Sequence, residues 1–131
     1  MKFIKGSIAA TLGLLLAVML VQWAIQLLNG ANFKSTGELT GNVMLAGFVA
    51  DAVRGCLLAY LYPQMKNAGS SYRHAIRFGL VTSLLVATLW VIYQYGVRTS
   101  LSTAWLMEES IIILSQGVFS GIGLGWAYRM K

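Results

Sequence analysis

The chain has 131 residues, of which 57% are hydrophobic and 11% charged, and its mean hydropathy is +0.68. A soluble domain carries about 25% charged residues, so this composition excludes an ordinary globular protein and indicates a chain surrounded mostly by lipid. Because a membrane-spanning helix takes roughly 20 apolar residues, the chain has room for four spans and for no soluble domain beside them.

The formal charge of +6 does not by itself indicate nucleic-acid binding. The basic residues flank the apolar stretches and do not form a face in which they alternate with aromatic residues. A single cysteine, Cys56, excludes an internal disulfide or a CxxC redox pair, and a single histidine, His74, excludes bis-histidine haem within one chain. We therefore expect no nucleic-acid partner and no cofactor.

Four spans are predicted in chain order, at about residues 8–28, 43–62, 75–95 and 105–128. The first could instead be a cleaved signal peptide, with Lys2 and Lys5 as its basic start. Its apolar stretch is longer than the roughly 7–15 residues of a signal peptide, and no clear A-x-A-like cleavage site follows. We therefore expect a retained anchor and an all-α integral membrane protein, folded as a single membrane domain in a four-transmembrane-helix bundle.

The distribution of basic residues predicts the orientation of this bundle. With the N-terminus inside, the outer loops contain only Lys34 and Arg98, and seven basic residues lie on the cytoplasmic side. Those seven are Lys2, Lys5, Lys66, Arg73, Arg77, Arg129 and Lys131. By the positive-inside rule, both termini are predicted to be cytoplasmic, in the cell inner membrane.

Small residues recur at four-residue spacing in the predicted spans, and they predict how the helices pack. The fourth span has the strongest set, Gly117, Gly121 and Gly125, and the second span contains Gly47 and Gly55. Helices in lipid associate through close backbone approach and polar contacts. We expect these glycines to lie at helix contacts, with one such face left for self-association or for a membrane-protein partner.

Asp51 and Arg54 interrupt the second span near its middle, roughly 12–18 Å from its outer end by helix rise. A charge at that depth costs about 2.5–3.5 kcal/mol on insertion scales. Their i, i+3 spacing allows a direct bridge within the helix, and Gly47 and Gly55 are expected to keep this face against protein. Whether the pair is structural or functional is left open.

Further polar residues could converge on the same site as an outward-facing vestibule. Glu108, Glu109 and Gln116 lie in the fourth span, and Gln22 and Gln26 lie in the outer part of the first. Glu108 and Glu109 would instead be interfacial if the fourth span began at Ile111, and the two glutamines would instead be hydrogen-bonding contacts between helices.

Two functions from different classes follow, and neither is enzymatic, because none of the common catalytic or metal-binding motifs is found in the sequence. The first is an assembly or accessory protein that oligomerises or docks on partners through its glycine faces. The alternative is a small ion- or proton-coupled transporter or channel subunit acting as an oligomer. Three acids, Asp51, Glu108 and Glu109, stand against Arg54 within the spans, and this imbalance motivates the alternative.

Overall fold

The computed structural model describes residues 1–29, 41–97 and 102–129, and every regular element in those residues is helical. The helices are α1 (Lys2–Asn29), α2 (Gly41–Leu61), α3 (Tyr72–Val97) and α4 (Thr103–Tyr128). Each contains a stretch long and apolar enough to cross a membrane, which confirms the predicted set of four spans and indicates a multi-pass membrane protein. The predicted outer-loop cations Lys34 and Arg98 lie outside the described residues.

The helices extend beyond most of the predicted spans. Helix α1 begins at Lys2 and α3 at Tyr72, both before the apolar stretch. Hydropathy finds only the part of a helix that lies in hydrocarbon, whereas backbone hydrogen bonds continue through the charged residues at the interface. Helix α2 ends at Leu61, where the chain enters a 3-10 turn at Tyr62–Gln64 that includes Pro63.

Helices α1 and α4 form the centre of the bundle: they pack along each other, α3 packs along α4, and α2 packs mainly along α1. Small residues allow these contacts. A Cβ on Gly13 of α1 would lie 2.5 Å from the backbone oxygen of Phe119 in α4. A Cβ on Gly79 of α3 would collide with the backbone oxygen of Gly117 in α4. A Cβ on Gly55 of α2 would collide with Thr11 of α1. Three backbone pairs therefore approach more closely than any larger side chain would permit.

The glycine face of α4 lies against α3 of the same chain. A Cβ on Gly117 would lie 2.5 Å from the backbone oxygen of Gly79, and one on Gly121 would lie 2.6 Å from the Cα of Ile76. A Cβ on Gly125 would lie 2.7 Å from the ring of Tyr72. The face on which the docking hypothesis rested is therefore occupied within the chain.

Gly47 requires a correction. No described atom lies within 4 Å of where its Cβ would be, and the described side chains of residues 45–50 are all exposed. The predicted contact of Gly47 with protein is therefore not found among the described residues. Helix α2 is held to its neighbours further along, where Gly55 meets Thr11 and the buried Leu58 and Ala59 join the core.

The largest buried cluster lies at the end of the bundle where the α2–α3 loop connects two helices, here called the loop end. Its buried residues are Ala10, Leu58, Ala59, Tyr62, Ala75, Leu124, Ala127 and Tyr128. The Tyr128 hydroxyl donates to the backbone oxygen of Ala59 over 2.7 Å, so the phenol satisfies its polar atom inside this cluster. The hydrophobic core is thus concentrated at the loop end, whereas the described side chains of α2 towards the opposite end, residues 45–50, are exposed.

Candidate intramembrane polar site

Arg54 reaches from α2 to two other helices. Its Nη1 donates to Oε1 of Gln116 in α4 over 2.7 Å, and its Nη2 donates to Oγ of Ser83 in α3 over 2.5 Å. Arg54 is half-buried and Ser83 is fully buried. Hydrogen bonds from an ionised donor are stronger than neutral ones, and these two hold the guanidinium between α3 and α4.

Gln116 joins the two charged residues of α2. Its Nε2 donates to both carboxylate oxygens of Asp51, over 3.2 and 3.4 Å, and lies 3.5 Å from the backbone oxygen of Leu14 in α1. A guanidinium can only donate and a carboxylate can only accept, so a single amide orientation serves both. The side chain of Gln116, only 6% exposed, therefore links α4 to α1 and α2, and Arg54 extends the network to α3 through Ser83.

The predicted direct bridge between Asp51 and Arg54 requires a correction. The hydrogen bonds described for this pair run through Gln116, which binds the guanidinium with its oxygen and the carboxylate with its nitrogen. The i, i+3 spacing places both residues on one face of α2, as predicted. That face meets α4 at a glutamine, whose amide satisfies both ions at once.

Ser83 belongs to the site, although it was not among the polar residues predicted to converge there. It lies on the buried face of α3 between Gly79 and Ala87, at the four-residue spacing that lets α3 approach α4. A hydroxyl within a stripe of small residues was the available signal, because serine in such a stripe can hydrogen-bond across helices as well as pack. Only the position of Arg54 in the folded structure shows that Ser83 belongs to the site.

Glu108 and Glu109 are partly buried in the second turn of α4, since the helix begins at Thr103. Glu109 precedes Gln116 by seven residues, so it lies on the same face of α4, roughly 10 Å along the axis. The hydrogen bonds described for Asp51 and Arg54 do not reach either glutamate. Both acids lie towards the end of the bundle opposite the loop end.

Gln22 and Gln26 are not brought to the site. Both are exposed in the outer part of α1, whereas α1 approaches Gln116 at Leu14, two turns or more away along the helix. The predicted convergence of these two glutamines on Asp51 is therefore not found. The direction of a side chain around a lone apolar helix depends on which face its neighbours cover, and hydropathy does not reveal that face.

One part of α2 beside the site has no close neighbour among the described residues. Gly47 lies seven residues before Arg54, so both are on the same side of α2, yet nothing described lies within 4 Å of a Cβ at Gly47. Asp51 lies between them and is half-buried. Asp51 thus lies where the covered part of α2 meets the part whose described side chains are exposed.

Comparison with known proteins adds no relative: no family model matches the chain, and no curated protein or solved structure matches it. Among the residues that the structure describes, no group of three or more His, Cys, Asp or Glu side chains is arranged to hold a metal ion. The chemistry available at the site is that of one carboxylate, one guanidinium, one amide and one hydroxyl.

Proposed function

We propose that the protein is a small ion- or proton-coupled transporter or channel subunit that acts as an oligomer. The observation that carries this proposal is the half-buried Asp51 carboxylate, linked through Gln116 to Arg54 inside the helix bundle. Ionisable groups within membrane spans are rare and mark ion pathways and proton relays. Four helices are few for alternating access, which is why an oligomer is part of the proposal.

In this proposal Asp51 receives the proton or small cation, and Gln116 and Arg54 position it. The half-exposed carboxylate has lone pairs beyond the two that accept from Gln116. Arg54, held by Gln116 and Ser83, remains charged in the protein and keeps the empty site electrically neutral. Glu109 lies on the same face of α4 as Gln116 and is the next acidic residue towards the end of the bundle opposite the loop end.

Flux into proteoliposomes tests the proposal. Purified protein is reconstituted with a pH-sensitive dye inside, and proton or K⁺ movement is followed under an imposed gradient. We expect wild-type flux to fall at least tenfold in Asp51→Asn, which still accepts a hydrogen bond from Gln116. Leu89→Ala, at an exposed position on α3 outside the network, is the control. Absence of flux in the wild type, or equal flux in Asp51→Asn, would count against transport.

The second candidate is a non-enzymatic assembly or accessory protein, and the exposed polar residues of α1 favour it. Gln22 and Gln26 are both exposed in a helix of membrane-spanning length, and amides in lipid gain from a partner helix. Gly47 on α2 would allow close approach of a second chain. In this candidate the Asp51–Gln116–Arg54 network serves only to hold the helices together.

Native mass measurement and crosslinking in mild detergent separate this candidate from a monomeric protein. We expect a homo-oligomer that dissociates in Gln22→Leu or Gly47→Leu, whereas Leu89→Ala, on the exposed surface of α3, leaves it intact. A monomer in the wild type would contradict the assembly candidate and also the oligomeric part of the transport proposal.

The orientation and location of the chain are part of the proposal as well. Seven basic residues near the termini, in the α2–α3 loop and in the first two turns of α3 support cytoplasmic termini in a cell inner membrane. Reporter fusions at Lys131 and after Gly96 test this orientation. A fusion at Lys131 should be active only with a reporter that works in the cytoplasm, and a fusion after Gly96 only with one that works outside it. The opposite pattern would show that the orientation is the reverse of the predicted one.

A further inference from the structure

A groove with a basic rim lies at the loop end of the bundle, far from Asp51. It has a volume of about 310 Å³ between the α2–α3 loop and the start of α3. Its basic lining residues are Lys66, His74 and Arg77, and its apolar ones include Met65, Phe78 and Val81. The proposed function uses none of these residues.

The lining changes from charged to apolar in the direction of the membrane span. Lys66 belongs to the loop, Arg77 lies in the second turn of α3, and Val81 follows Arg77 by one turn, about 6 Å along the axis. Phe78, which is partly buried against the core, and the exposed Val81 continue the groove along α3. A charged end followed by an apolar wall has the same order as the headgroup and chains of a phospholipid.

The loop that carries Lys66 has a defined shape. The backbone N–H of Gly69 donates to the buried Tyr62 hydroxyl over 3.0 Å. Asn67 and Gly69 have φ of 71° and 78°, in the left-handed region that asparagine and glycine tolerate best. The N–H of Ser70 donates to the backbone oxygen of Asn67 over 3.2 Å. The turn therefore fixes the backbone beside Lys66, and this wall of the groove exists before any ligand binds.

We propose that this groove binds an anionic phospholipid from the adjacent leaflet. Its phosphate would lie among Lys66, His74 and Arg77, and one acyl chain would lie along Phe78 and Val81. One guanidinium can donate two parallel hydrogen bonds to two oxygens of a phosphate. Basic pockets beside membrane helices recognise anionic headgroups. The apolar wall favours a lipid over free phosphate, because only a lipid would cover Phe78 and Val81.

Native mass spectrometry of the full chain in mild detergent tests the site. The protein is given phosphatidylglycerol or phosphatidylcholine of the same chain length, and retained lipid is counted. We expect wild type to retain phosphatidylglycerol preferentially, and Lys66→Gln with Arg77→Gln to weaken its binding roughly 20-fold. The control, Lys2→Gln with Arg73→Gln, removes equal charge from exposed residues outside the groove and should bind as wild type does.

Three outcomes would overturn the proposal. One is equal loss of phosphatidylglycerol in the groove variant and the charge-matched control, which would indicate a general effect of charge. Another is no preference of the wild type for the anionic lipid. The third is binding of glycerol phosphate, which lacks acyl chains, as strongly as the lipid. The single change Lys66→Gln, in an exposed loop position, gives the same comparison if the double variant does not fold, with an expected loss of roughly fivefold.

Discussion

Arg54 donates a 2.7 Å hydrogen bond to the side-chain oxygen of Gln116, although 62 residues separate the two in the chain. This bond, with those from Gln116 to Asp51 and from Arg54 to Ser83, closes a polar network inside helices that are otherwise apolar. Such a network costs free energy to bury and stabilises only when its members are paired. Because each member is paired, a substitution at one residue measures how much that residue contributes to the stability of the protein.

Replacing Gln116 by leucine should destabilise the protein by roughly 1–3 kcal/mol, because Arg54 and Asp51 each lose a partner in the bundle. Thermal or denaturant unfolding in detergent measures the change. The control is the same substitution at an exposed glutamine of the 3-10 turn, Gln64→Leu, which should leave stability within about 0.5 kcal/mol of wild type. Equal effects of the two substitutions would mean that the Gln116 bonds contribute nothing specific.

Removing Asp51 alone should be worse than removing both charged residues. Asp51→Ala leaves the Arg54 guanidinium without a counter-charge, a loss of about 3–5 kcal/mol in fully buried pairs, and we expect the lower end because Asp51 is half-exposed. Asp51→Leu combined with Arg54→Met should restore much of the folded yield, since apolar replacement of both partners is often close to neutral.

Folded yield and flux, measured on the same two variants, distinguish structure from function at this pair. Recovery of yield without recovery of flux would assign Asp51 and Arg54 to the transport site. Recovery of both would make the pair structural. An Asp51→Ala protein with normal yield would show that the pair is hydrated and that the network is not needed for folding.

Gly79→Ala should destabilise the contact between α3 and α4. Its new Cβ would collide with the backbone oxygen of Gly117, and both sides of that contact are backbone, so the helices must separate. Overpacking of this kind costs about 1–3 kcal/mol. Gly47→Ala is the matched control: nothing described lies within 4 Å of its Cβ, so stability should be unchanged or slightly higher. Unfolding curves that place Gly79→Ala at or above wild type would contradict the close packing.

Tyr62→Phe should remove the bond from the Gly69 N–H while keeping the ring contacts with Phe78 and Tyr128, whose centroids lie 5.4 and 5.7 Å away. We expect a loss of about 1 kcal/mol and faster amide hydrogen exchange at Gly69. Tyr60→Phe, at a side chain that is 62% exposed, serves as the control. Unchanged exchange at Gly69 would show that the Tyr62 hydroxyl does not hold the loop.

Several features follow from the sequence because they depend on local composition. Four long apolar segments predict four membrane-length helices, since a backbone in lipid must satisfy its own hydrogen bonds. The spacing of Asp51 and Arg54 places them on one face of α2 wherever that helix lies. The cost of burying ions likewise predicts that they lie against protein or water, and Gln116 was among the residues expected near them.

Only the tertiary structure decided which face of each helix meets which neighbour. The glycines of α4 could have faced a second chain, but they lie against α3, and Gly47 at similar spacing meets no described residue. Apolar helices present similar surfaces all round, so sequence periodicity does not select a partner. That selection brought Ser83 into the site, left Gln22 and Gln26 outside it, and placed the amide of Gln116 between Asp51 and Arg54.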